Sequence, residues 1–291
     1  MSGASREGTP LRALLAGVAG RYRGALGLTY SLTAIENGCE VLYPFVIGLA
    51  IDGLIAGRIW HMAPLAAVWI VHLAVGLARH VYDTRVFTLI YARLAGEMVE
   101  RQREAGVDPN HVVARVALSR EIVTFFETEV PAIATVAIRM AGAALMLFLY
   151  DAMLGASAGV ALAAILLANA WFAGRAYRLN TALNNRLERE VAIVAASPLR
   201  SVRRHFDRLR VWRVRISDSE AWTWGAIELA MIALTVVALL RLAALPGVTA
   251  GLVYAVLAYV FSLYDAVYGL TGIVQSVSRV RDIGRRLAAG G

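Results

Sequence analysis

The sequence predicts an all-α polytopic membrane protein, with six transmembrane helices and two long cytoplasmic helical hairpins. Three observations lead there. Of 291 residues, 59% are hydrophobic and only 17% charged, at a mean hydropathy of +0.61, too little polarity to clothe a soluble domain. The apolar residues fall in blocks of about 20, the length that crosses a bilayer, at roughly 24–50, 63–84, 130–150, 153–174, 222–245 and 249–272. Short alternating segments of the kind that build a membrane β-barrel are missing. Finally, the basic residues sort by side, and every one of them is arginine.

Residues 1–23 come first. The stretch "LRALLAGVAG" is short and is followed at once by Arg21 and Arg23, unlike a cleaved leader. We expect an interfacial, elbow-like helix on the cytoplasmic face, ahead of a single six-helix domain over 24–291. Span one ends in a short outer loop, "GLIAGRIWHMAP", and span two runs into a connection of roughly 85–130. Spans three and four meet at a turn near Asp151, and a second long connection covers roughly 175–221. "RLAALPGVTAG" then leads to span six. Both long connections carry helix formers at helical charge spacing, such as Glu97 and Arg101, so each reads as a hairpin extending about 30 Å at 1.5 Å per residue.

At the hairpin tips, Asp108-Pro109 and Ser197-Pro198 place an N-cap residue before a proline suited to the first helical position. Short tip helices, "DPNHVVARV" and "SPLRSVRRHF", are expected. "SDSE" at Ser217–Glu220 fits a capping box opening span five, with Trp222 and Trp224 as an interfacial belt. The connections at 93–120 and 175–215 hold five and eleven arginines, against Arg58 and Arg241 outside. The positive-inside rule then puts both termini in the cytoplasm. That sorting also accounts for a basic chain without invoking nucleic acid.

Six spans, two hairpins and minimal outer loops resemble the transmembrane domain of ABC exporters, the type IV fold. "YPFVIGLAIDGLIAG" resembles the end of the exporter first span, where a proline precedes a glycine and an Ile-Asp pair. "ARVALSREIVTFFETEVPAI" matches the return helix of the first hairpin in position, and "GLVYAVLAYVFSLYDAVYGL…VSRVRDIGRRL" resembles span six. More narrowly, "LSREIVTFFETEVP", "NNRLERE" and "SDSEAW" look like bacterial stand-alone ABC transporter six-transmembrane-domain proteins. The resemblance implies a dimer, here a homodimer, around one translocation path in a bacterial inner membrane. It makes Asp108, Pro109, Asn110, His111 and Ser197, Pro198, Leu199 coupling tips. A Walker A loop needs a lysine and the sequence has none. ATP and magnesium are therefore expected only through a separate nucleotide-binding subunit, with no cofactor and no enzyme activity in this chain.

Charged residues inside spans are costly, about 2.5–3.5 kcal/mol each on insertion scales, and mark function by default. Glu36 and Glu40 in "LTAIENGCEVLYPFVIGLAID" are four apart and share a helical face, with Tyr43 on nearly the same stripe. Pro44 can bend the helix and free a backbone carbonyl. Each glutamate could pair with an arginine such as Arg139, or line a path that binds a cation, a proton or a cationic substrate. Arg79 and Asp83 have the spacing of an intrahelical pair, beside His80. Glu228 and Asp265 stand between path lining and interfacial capping. A mixed metal site of Glu36, Cys39, Glu40 and His72 is conceivable, but Cys39 points to another side of the helix; no metal is expected.

Two energy sources stay open: a separate ATPase docked at the tips, or the proton gradient acting through Glu36 and Glu40. A non-transporting scaffold or assembly factor is a third reading. Substrate and direction are not written in the sequence, although an acidic path favours cationic or amphipathic cargo.

Overall fold

The computed structural model describes residues 8–104, 106, 116, 119–187, 190–196 and 198–289. Among them there is no strand. The helices are α1 (Gly8–Arg21), α2 (Arg23–Ile55), α3 (Ala63–Glu104), α4 (Ser119–Tyr150), α5 (Ala152–Leu187), α6 (Glu190–Ala196), α7 (Leu199–Ala244) and α8 (Ala250–Ala289). Six of them are long and apolar enough to cross a membrane. Their outward faces carry Leu42, Phe45, Trp69, Ile70, Leu73 and Leu149, all exposed, as helices bathed in hydrocarbon should. Two helices far exceed a bilayer: 46 residues in α7 make roughly 70 Å at 1.5 Å each, and 42 in α3 make roughly 63 Å.

The chain divides into two compact units, Met1–Met146 with Gly247–Gly291, and Leu147–Pro246. In the first unit, Val18 of α1, Leu26 of α2, Phe87 and Ile90 of α3, and Ile122 and Phe126 of α4 form one buried cluster. The bidentate contact of Arg21 with Glu97, at 2.9 and 2.7 Å, ties α1 to α3. Val18 of α1 is packed inside the protein, while Ala16, Gly17 and Gly20 stay exposed. The helix thus packs by one side against α3 and α4.

Helix α2 runs unbroken through Pro44. Its outer end carries Asp52, which accepts hydrogen bonds from the Thr249 hydroxyl at 2.6 Å and the Gly251 N–H at 2.8 Å. Thr249 in turn receives the Leu252 N–H at 3.1 Å, so two side chains satisfy the exposed donors that open α8. Deeper, the buried Tyr259 of α8 donates to the Val41 carbonyl at 2.8 Å.

In the second unit, α5 buries Leu154, Ala158, Ala161 and Ile165, and α7 buries Ile227, Met231, Leu234, Ala238 and Leu242. These steps of three and four make a straight seam, and Ala158 and Ala238, both fully buried, let the helices approach closely. Asp151, the single residue between α4 and α5, caps α5 by accepting from Met153 and Leu154 at 3.0 and 3.1 Å. Arg241 of α7 grips the same carboxylate through two bonds of 3.0 and 2.8 Å.

Two local expectations fail here. Ser217–Glu220 opens no helix, because α7 is continuous from Leu199 to Ala244. Ser219 is instead a buried residue of the helix interior, donating to the Arg215 carbonyl at 2.8 Å and accepting from Arg175 of α5 at 2.7 Å. Its hydroxyl serves a neighbouring helix, so the capping-box pattern is coincidental. Pro198, expected at the first helical position, stands one place before it at ψ 149°, with Leu199 first in the helix. Asp108, Pro109, Asn110, His111 and Ser197 lie outside the described residues.

Candidate functional site

The first unit holds a polar cavity of about 350 Å³. It is built from stripes on three helices. On α2 the polar residues Thr29, Thr33, Glu36, Glu40 and Tyr43 recur in steps of three or four, which keeps them on one face, and Asn37 follows one turn after Thr33. On α3 the stripe is His72, Gly76, Arg79 and Asp83, and on α4 it is Thr128, Ala132, Thr135 and Arg139.

Both intramembrane glutamates have a guanidinium from another helix. Arg79 of α3 bonds Glu36, and Arg139 of α4 bonds Glu40 with its Nε at 2.8 Å and a second bond from Nη2. Arg79 also lies 3.5 Å from Asp83, its neighbour one turn on. Asp83 accepts from the Thr29 hydroxyl at 2.7 Å. Gly76 faces Glu36: a β-carbon there would stand 3.4 Å from the Glu36 carboxylate, an ordinary contact distance. Between the pairs, buried Asn37 donates to the Thr33 carbonyl at 2.8 Å and the Thr135 hydroxyl at 3.0 Å.

Paired charges and satisfied amides are how a span tolerates polar groups. These pairs are not sealed, however. Side-chain exposure is 19% for Glu36 and 28% for Glu40, because Glu36, Glu40, Arg79 and Arg139 all face the cavity. Arginine pairing and cavity lining, posed by the sequence as alternatives, coexist.

Tyr43 sits differently. Its hydroxyl is hydrogen-bonded to His72 Nδ1, and its ring meets Trp69 edge-on at 6.2 Å. His72 Nε2 stands 3.8 Å from Glu36, which makes His72 part of the polar stripe. Asp265 is exposed on α8 and does not line the cavity, while Glu228 is half-buried on α7 in the second unit. Cys39 is buried, and among the described residues no three His, Cys, Asp or Glu side chains converge as a metal site would need.

The cavity has one wall that the sequence reading missed. Residues Phe125–Glu129 form a π-helical turn, with the Val130 N–H bonded to the Phe125 carbonyl five residues back. Pro131, two residues after the turn, has no N–H to give. In this register the carbonyl that would have received it belongs to Phe126, and the Tyr30 hydroxyl of α2 donates there at 3.2 Å. The turn brings Glu127 and Thr128 into the cavity lining, and such turns gather at functional sites. The sequence signal was present in "FFETEVP": a proline following a run of polar residues within a helix.

Comparison with known proteins agrees with this architecture. The family described as ABC transporter transmembrane region matches residues 15–251. No curated protein matches the chain. The match takes in α2 to α7 and the start of α8, every helix that contributes to the cavity included. A multi-pass membrane protein with six spanning helices, the chain belongs to the ABC transporter transmembrane region family.

Proposed function

We propose that the chain is the membrane subunit of an exporter-like ABC transporter, moving its substrate by alternating access with ATP hydrolysed on a separate nucleotide-binding subunit. The observation that carries this reading is a polar cavity of about 350 Å³, walled by ion pairs from three spanning helices, in a chain of this family. A purely structural span would bury such pairs against each other; here they border open space. Two chains around one path, coupling through Asp108–His111 and Ser197–Leu199, and a cytoplasmic-membrane location with both termini inside complete the proposal. The length of α3 and α7 supports it, since helices of about 60–70 Å outrun a ~30 Å hydrocarbon core and present ends for a partner.

The test is purification of the tagged protein from its native membrane in mild detergent, followed by mass spectrometry. Stoichiometric recovery of a P-loop ATPase is the expected result. A homodimer free of ATPase across several detergents would overturn the ATP-driven reading.

One observation favours a second reading, coupling to the proton gradient. Tyr43, His72, Glu36, Arg79, Asp83 and Thr29 form a linked polar chain between α2 and α3. From Thr29 to Tyr43 it follows about 21 Å of helix, and chains of Asp, Glu and His within membranes serve as proton relays. On this reading Glu36→Gln with Glu40→Gln stops flux driven by a pH gradient while the protein still folds.

A further inference from the structure

Three carboxylates and two guanidiniums line the cavity. Glu36 has Arg79 and Glu40 has Arg139. No hydrogen bond or ion pair reaches Glu127 among the described residues. Among the lining residues Glu127 is therefore the one carboxylate without a guanidinium, Asp83 sharing Arg79 behind the lining, and it stands on the π-helical turn. Around it stand groups that hydrogen-bond without charge: Thr33, Asn37, Thr128 and Thr135.

We propose that this cavity selects a small ligand with a single positive charge, a protonated amine with further hydrogen-bonding groups, and that Glu127 is its counter-ion. The inference rests on the cavity being the substrate path. An ammonium against Glu127 makes a charge-assisted hydrogen bond, among the stronger polar contacts available in a low-dielectric site. An anion has no free guanidinium to meet, because taking Arg79 or Arg139 would strand Glu36 or Glu40. A dication would have to break one of those pairs in the same way. The volume of about 350 Å³, at the lower end of the range of about 300–1,000 Å³ for small-molecule sites, suits a small ligand.

The experiment uses the full chain in nanodiscs of zwitterionic lipid, titrated calorimetrically at neutral pH. The probes are tyramine, tyrosol and phloretate, which share a phenol and carry a positive, no and a negative charge. Tyramine is expected to bind at least tenfold more tightly than either of the others. Glu127→Gln should weaken tyramine at least tenfold, and Glu127→Asp, which keeps the charge, should preserve the preference for tyramine. Glu129→Gln removes a charge from the same turn outside the cavity lining and should leave binding unchanged. Equal binding of phloretate or tyrosol, indifference to Glu127→Gln, or absence of tyramine binding to normally folded protein would overturn the inference. These outcomes are separable from those for transport. A chain that recruits an ATPase but ignores tyramine keeps the transporter reading and loses this one. A chain that binds tyramine through Glu127 without an ATPase does the reverse for ATP coupling.

Discussion

Gly48 of α2 and Gly251 of α8 meet backbone to backbone: a β-carbon on Gly48 would stand 2.5 Å from the Gly251 carbonyl oxygen. One turn further out, Asp52 holds the first turn of α8 through the Gly251 N–H and the Thr249 hydroxyl. The glycine and the Ile-Asp pair at the end of span one thus have distinct physical duties. The glycine admits the neighbouring helix, and the aspartate caps it.

Gly48→Ala should push α2 and α8 apart at a cost of about 1–3 kcal/mol, the usual range for overpacking. Asp52→Ala should cost about 1 kcal/mol through the lost cap. Thermal unfolding of the purified protein measures both. A Gly48→Ala variant as stable as the parent would show that the contact is slack.

The cavity pairs should behave as coupled units. Arg139→Gln leaves Glu40 facing the cavity alone, so it should destabilise more than the double change Glu40→Gln with Arg139→Gln. A double-mutant cycle should return a coupling of about 0.5–3 kcal/mol, the range for residues in one network. Arg79→Gln should be worse than Arg139→Gln, because Arg79 serves both Glu36 and Asp83. Additive effects in the cycle would dissolve the pair.

At the turn between α4 and α5, the Arg241 hydrogen bond holds the Asp151 carboxyl down to about 2 from an ordinary 3.8, helped by the capping N–H groups of Leu154 and Met153. A lowered folded pKa means stability that is present above pH 3.8 and lost as the pH falls towards 2. Proteolysis at this turn should accelerate across that window in the parent. Asp151→Asn should show no such step, being weakened already at neutral pH. A step of the same size in both would assign it to other carboxylates.

The π-helical turn makes a conditional prediction. Tyr30→Phe should cost about 1 kcal/mol, the net worth of one hydrogen bond, because the Phe126 carbonyl loses its donor. Pro131→Ala returns an N–H to the helix and offers that carbonyl a backbone donor. In that background Tyr30→Phe should cost clearly less. Equal costs in the two backgrounds would mean that Pro131 does not set the turn.

How much of this was legible depended on range. Glu36 and Glu40 could be placed on one face, and Arg79 beside Asp83, because helical spacing alone sets those neighbours. Arg139 could be named as a partner for a glutamate, since a charge in a span needs one. Which glutamate it takes could not be read, nor that Arg79 reaches Glu36, 43 residues away. Ser217–Glu220 shows the opposite error. Four residues with the right local chemistry for a helix start sit inside a 46-residue helix, because Ser219 finds its use in Arg175 of α5.

By itself the sequence determined that this is a six-span, all-helical membrane protein, because bilayer thickness and backbone hydrogen bonding admit few other ways to arrange its apolar blocks. Only the tertiary structure decided which charges neutralise each other, where the cavity opens and that Glu127 faces it alone. Those outcomes turn on the rotation and depth of one helix against another and on a single widened turn before Pro131. Small shifts of that kind leave no trace in local composition, yet they determine which side chains meet.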